Sequence, residues 1–99
     1  MAKTPEEIKA KKIAALQRKI LSKQTSLGKN ESKKSVLQGK QATYVAELLI
    51  ATDVKKIASL NKKNDAAIIK LLRYTVVITE IQTVIGALQS TLSGLLGPF

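Results

Sequence analysis

The carboxyl-terminal half of the chain repeats apolar residues at alternating intervals of three and four. The pattern runs from Ile57 to Leu95, and eleven of its twelve positions are apolar when Ala67 and Tyr74 are counted. An unbroken pattern of this kind is typical of a helix that packs against other helices. It predicts one long helix over about residues 53–96, ended by Gly97 and Pro98. The β-branched stretch at 75–85 favours a strand as the alternative, but it lacks clean alternation.

The amino-terminal half predicts two shorter helices. Thr4, Pro5 and Glu7 form a capping box that begins the first helix, expected over residues 5–27. Gly28 is expected to end it in a turn near 28–31, and a second helix follows over 31–51. The chain thus divides into a basic helical region, 1–52, and a long apolar helix for assembly, 53–99. The apolar stripe of the first helix is Ile8, Ile13, Leu16, Ile20, Leu21 and Leu27.

Two polar residues in the long helix, Asn64 and Glu80, leave alternatives open. Asn64 occupies a position in the 3-4 pattern, where a lone polar residue sets register and oligomer number. Alternatively, the helix breaks near 61–65 and Asn64 caps the next one. Glu80 is the only charged residue after Arg73. It either pairs with a cation of a neighbouring helix or faces water.

A chain of 99 residues is too short to enclose a large core, and it has no Cys to form a disulfide. The long helix therefore needs more helical surface than one chain supplies. The fold class predicted is all-α: a helical hairpin or small bundle completed by oligomerisation. The predicted oligomer interface is the later part of the 3-4 pattern: Leu71, Tyr74, Ile78, Ile81, Ile85, Leu88, Leu92 and Leu95.

Charge is distributed very unevenly along the chain. The 17 Lys and Arg against 7 Asp and Glu give a net charge of +10, and all 17 cations precede residue 74. Such asymmetry indicates contact with nucleic acid or a membrane, the alternative being a solvated surface. With two Arg and 3% aromatic residues, contact with nucleic acid would be non-specific. The predicted polyanion contacts are Lys11, Lys12, Arg18, Lys19, Lys23, Lys33 and Lys34.

The missing residue types restrict the chemistry. Without His and Cys, the chain can form neither a Cys/His zinc site nor a Ser–His or Cys–His nucleophile pair. Its five Gly fit no phosphate-binding loop. We therefore expect no enzymatic activity, no catalytic residue, no metal, no cofactor and no small-molecule substrate.

These observations favour a structural subunit of a helical homo-oligomer, such as a virion component or a filament, whose basic region contacts nucleic acid. Its expected location is the cytoplasm or a virion, since no signal peptide is visible and Cys is absent. One alternative is a membrane-associated protein in which residues 74–97 insert as an oligomeric transmembrane helix. The other is a soluble, basic helical bundle that binds nucleic acid or acts as a regulator.

Overall fold

The computed structural model describes residues 4–97, and nearly all of them are helical. Helix α1 spans Pro5–Ile50 (46 residues) and helix α2 spans Val54–Leu96 (43 residues). Residues 51–53 connect the two helices, and no strand occurs between residues 4 and 97. The predicted all-α class, its helical hairpin and the helical state of residues 75–85 are confirmed.

The start of α1 follows the predicted capping box. The Glu7 N–H donates a hydrogen bond to the Thr4 hydroxyl oxygen at 3.2 Å, which satisfies a backbone donor that has no partner within the helix. Glu6 and Glu7 lie in the first turn, where their charge is favourable at the positive end of the helix dipole. The predicted start at Thr4 and Pro5 is thus confirmed.

Polar and glycine residues also define the ends of α2. The Lys55 N–H donates to the Asp53 carboxylate at 3.0 Å, so Asp53 caps the beginning of the helix. Gly97 has a φ of +92°, and its N–H donates to the Ser93 carbonyl oxygen at 3.3 Å. This left-handed residue ends the helix at the predicted place. Pro98, the other predicted stop signal, lies outside the described residues.

The predicted turn near 28–31 does not form, and α1 passes through it without interruption. Gly28 and Gly39 both adopt helical backbone conformations. Among the described glycines, only Gly97 has a positive φ. A glycine inside a helix costs roughly 0.5–1 kcal/mol relative to alanine. The helix continues through both glycines in spite of this cost.

The 3-4 pattern of α2 coincides with the side of the helix that the chain covers. All twelve of its positions are buried or half-buried, and every other residue of α2 is exposed. The helix also continues through residues 61–65, so the predicted alternative of a break there is wrong. Those twelve positions are Ile57, Leu60, Asn64, Ala67, Leu71, Tyr74, Ile78, Ile81, Ile85, Leu88, Leu92 and Leu95.

Helix α1 carries a matching 3-4 pattern from Ile13 onward, and the pattern ends at Ala51 in the connection. Eleven of twelve positions are buried or half-buried, Lys23 being the exposed one. Ile8 and Leu21, expected in the apolar stripe, are instead 44% and 64% exposed. These positions and those of α2 are together called the seam. The α1 seam positions are Ile13, Leu16, Ile20, Lys23, Leu27, Asn30, Lys34, Leu37, Gln41, Tyr44, Leu48 and Ala51.

The chain forms two compact units, and each combines segments of both helices. In the unit of residues 29–78, the end of α1 folds back on the beginning of α2 as a helical hairpin. In the unit of residues 1–28 and 79–99, the described part of α1 pairs with the end of α2. Among the described residues only six are buried, and no side chain is completely shielded from water. They are Ile20, Leu60, Ala67, Ile78, Ile81 and Ile85.

The continuity of α1 predicts the effect of Gly28→Ala. Because Gly28 is helical and an added Cβ would meet no atom within 4 Å, the variant should gain about 0.5–1 kcal/mol in free energy of unfolding. Urea denaturation followed by circular dichroism measures this gain. Gly97→Ala is the control and should lose stability, because its φ is positive. A loss of stability in Gly28→Ala would contradict the continuous helix.

Candidate functional site

The eight residues of the predicted oligomer interface lie on the α2 seam. Leu71, Tyr74 and Ile78 belong to the unit of residues 29–78, and the remaining five belong to the other unit. Ile78, Ile81 and Ile85 are at most 9% exposed, and the other five residues are half-buried. One chain thus packs these residues internally, and their role between chains stays a prediction.

The opposite side of α2 is exposed, and its last part, from residue 79 onward, is almost free of charge. We define the outer face of α2 as the exposed positions of residues 79–96, whose single charged residue is Glu80. An added Cβ at Gly86 or Gly94 would meet no atom within 4 Å, so no described residue covers the face at these two positions. It continues along α2 through exposed apolar residues: Ile68, Ile69, Leu72, Val76 and Val77.

Threonine hydroxyls on and next to the outer face are bonded within the helix. Thr75, Thr83 and Thr91 each donate to the carbonyl oxygen four residues earlier, at 2.9–3.0 Å. Each hydroxyl proton therefore has a partner that does not depend on water. Removing this face from water costs less than removing unpartnered hydroxyls would.

The two polar residues singled out in α2 have different environments. Glu80 is exposed, and its pairing with a cation of another chain stays a prediction. Asn64 occupies the seam, and its side-chain oxygen is buried without a hydrogen-bond partner. A buried polar atom without a partner destabilises the folded chain. Asn64 therefore introduces a polar defect at a defined place in the seam.

The predicted polyanion contacts fall into two groups on α1. In heptad notation, with Ile13 at position a, five of the seven lie at the adjacent positions f and g and are exposed. They share one side of the helix: Lys11, Lys12, Arg18, Lys19 and Lys33. Lys23 and Lys34 instead occupy seam positions, Lys23 exposed and Lys34 half-buried.

The described residues 4–97 contain no group of three or more His, Cys, Asp or Glu that could hold a metal ion. One helix in this part of the chain, α2, is long and apolar enough to cross a membrane, and only 11% of its most apolar stretch is buried. Comparison with protein-family models, with curated proteins and with solved structures finds no match.

The polar defect at Asn64 predicts that Asn64→Leu stabilises the chain. The variant removes an unpartnered buried oxygen and adds apolar contact in the seam, and should raise the free energy of unfolding by about 1–3 kcal/mol. Asn61→Leu is the matched control, since Asn61 is exposed on the same helix, and should change stability by less than about 0.5 kcal/mol. Equal stability of Asn64→Leu and the natural chain would contradict the buried defect.

Proposed function

We propose that this chain is a non-enzymatic structural subunit of a helical homo-oligomer, such as a virion or a filament. Copies associate through the outer face of α2, and the cationic side of α1 remains outside the contact. That side then presents repeated positive charge to nucleic acid without sequence preference. Assembly is the main function in this proposal, and polyanion binding depends on the surface that assembly leaves free.

The observation that carries the proposal is that a two-helix seam leaves the chain without an enclosed core. The chain exposes 7518 Å², whereas a compact monomer of 10.7 kDa exposes about 5,500 Å². The surplus of roughly 2,000 Å² is similar to the area that a stable protein interface buries. Association of copies removes this surplus, and the uncovered apolar residues of α2 are the natural place for it.

Charge favours the outer face of α2 over any other contact surface between copies. Each chain carries a net charge of +10, so cationic surfaces of two copies repel each other. Residues 74–99 contain no cation at all, which allows close approach along that part of α2. Small residues on this face shorten the distance that two helices can reach. The small residues are Thr79, Thr83, Gly86, Ala87, Ser90, Ser93 and Gly94.

Insertion of α2 into a membrane is the second candidate, favoured by its length, its apolar composition and its low burial. The pairing of α1 with α2 in the unit of residues 1–28 and 79–99 argues against insertion into a membrane. The described part of α1 in that unit carries six cations, including Arg18 and Lys19, and pairs with residues 79–96. A spanning α2 would draw these cations into the hydrocarbon at about 2.5–3.5 kcal/mol each, or would have to separate from α1.

A pair of matched substitutions tests the assembly proposal. Thr83 and Thr25 both lie at exposed positions f, and both donate to a carbonyl oxygen four residues earlier. Thr83→Lys places a cation on the outer face of α2 and should convert the oligomer to a monomer, measured by light scattering. Thr25→Lys adds the same charge to α1 and should leave the mass of the oligomer unchanged.

Light scattering also distinguishes assembly through α2 from insertion of α2 into a membrane. An oligomer that forms without detergent and is lost only in Thr83→Lys supports assembly through α2. Equal masses for Thr83→Lys and Thr25→Lys would contradict a contact at the outer face. Aggregation of the natural chain that detergent cures, with binding to lipid vesicles, would favour the membrane candidate.

A further inference from the structure

Two adjoining cavities form one groove between α1 and α2 in the unit of residues 29–78. Their volumes are about 310 and 190 Å³, and both are lined by Leu37, Lys40 and Lys70. Lys33 and Tyr74 complete the first, together with Ser32 and Val36, and Lys63 and Tyr44 contribute to the second. No Asp or Glu lines either cavity. We call this the lysine groove, after Lys33, Lys40, Lys63 and Lys70.

The four lysines stand in two rows, one on each helix. Lys33 and Lys40 are seven residues apart on α1, and Lys63 and Lys70 are seven residues apart on α2. Seven residues correspond to about 10.5 Å along a helix axis, and residues at that spacing lie on the same side. All four occupy position g when Ile13 and Ile57 are assigned to position a. The groove is therefore flanked on both sides by regularly spaced cations.

The other edge of the same unit has no cation. Its helical position-e residues are Glu31, Gln38, Val45, Val54, Asn61, Ile68 and Thr75. The position-g edge carries the four groove lysines and, nearer the turn, Lys56 with Glu47. A surface that served only solubility would not need its cations on one edge of the helix pair and none on the other. Four of the ten cations of this unit line one groove, and none lies on the opposite edge.

This arrangement places like charges beside each other across the helix pair. In antiparallel helix pairs, position g faces position g, and opposite charges there stabilise the pairing. Here lysines of α1 and α2 line the same cavities, and neither cavity is lined by a carboxylate that would neutralise their positive charge. We expect repulsion between the two rows to lower the stability of the free hairpin slightly, because all four lysines are exposed. A row of anions lying in the groove would remove that repulsion and bind both rows at once.

We infer that the lysine groove binds the phosphate backbone of a nucleic acid. The inference rests on the polyanion contact within the proposed function and assigns that contact to a site formed by both helices. The cation spacing of about 10.5 Å matches roughly three nucleotides at the 3.4 Å rise of one strand. The polar groups of Ser32, Tyr44 and Tyr74 are available for hydrogen bonds to phosphate oxygens. No group in the groove is suited to distinguish bases, so binding is independent of sequence.

Two quadruple variants with equal loss of charge test this site. The groove variant replaces Lys33, Lys40, Lys63 and Lys70 with Gln. The control variant replaces four exposed lysines outside the groove with Gln: Lys9, Lys29, Lys55 and Lys62. Fluorescence anisotropy measures the affinity of full-length chains for labelled single-stranded and double-stranded oligonucleotides between 50 and 200 mM salt.

The groove variant should lose the part of the salt dependence that the four groove lysines contribute. Each phosphate contact contributes about 0.9 to the slope of log affinity against log salt on a duplex. The natural chain and the control variant should therefore lose about a hundredfold more affinity over this salt range than the groove variant. The chain has two Tyr and no Trp, so tyrosine emission reports on the groove directly. Nucleic acid should change this emission in the control variant but not in the groove variant.

Several results would overturn the inference. Equal losses in both quadruple variants would show that the attraction is spread over the whole surface. Binding of anionic phosphatidylserine vesicles that depends on the groove lysines, with nucleic-acid binding unaffected, would assign the groove to a membrane. A groove variant with a lower melting temperature than the control would contradict the predicted repulsion between the lysine rows.

Light scattering on the same samples separates this inference from the proposed function. A groove variant that keeps the mass of the natural oligomer shows that the lysines act in binding and not in assembly. A natural chain that stays monomeric but shows groove-dependent binding would refute assembly and leave the groove supported.

Discussion

Each unit of the structure depends on the seam between α1 and α2. Side chains at intervals of three and four on α1 and α2 supply nearly all the burial among the described residues, and even the most buried of them, Ala67, remains 3% exposed. A seam of two helices is open at both edges, so water reaches every side chain in it. Each unit is therefore held together by contact between two helices only, and its other surfaces stay exposed.

The seam also organises the charge of the molecule. In the unit of residues 29–78, it separates a cationic edge that contains the lysine groove from an edge without cations. In the other unit, α1 supplies the positive charge and the end of α2 is almost uncharged. The proposed functions follow from these surfaces, since copies can associate where charge is absent and phosphates can bind where it is concentrated.

The sequence predicted α2 well and α1 less well, for a physical reason. Apolar side chains fill nearly every seam position of α2, so its register is visible in the sequence. The seam of α1 contains Lys23, Asn30, Lys34 and Gln41, and Gly28 resembles a helix end. Continuing the spacing of Ile13, Leu16 and Ile20 through Leu27 would have revealed one helix. Helix propensity favoured the wrong prediction because it does not include the packing along the seam.

The candidate surfaces were only partly predictable. The residues of the predicted oligomer interface lie in the seam. Their spacing shows that they pack against another helix, but it does not show whether that helix belongs to the same chain or to a second copy. Of the groove lysines only Lys33 was among the predicted contacts. Lys40, Lys63 and Lys70 become a site when two distant segments pair, and their spacing of seven residues was the available signal.

The measurement that tests this account most directly is the solution mass of the natural chain by light scattering across a dilution series, without detergent and with circular dichroism on the same samples. The account predicts a monodisperse multiple of 10.7 kDa that is almost entirely helical and dissociates only on dilution. A fully helical monomer at every concentration, or an oligomer that exists only in detergent, would contradict it.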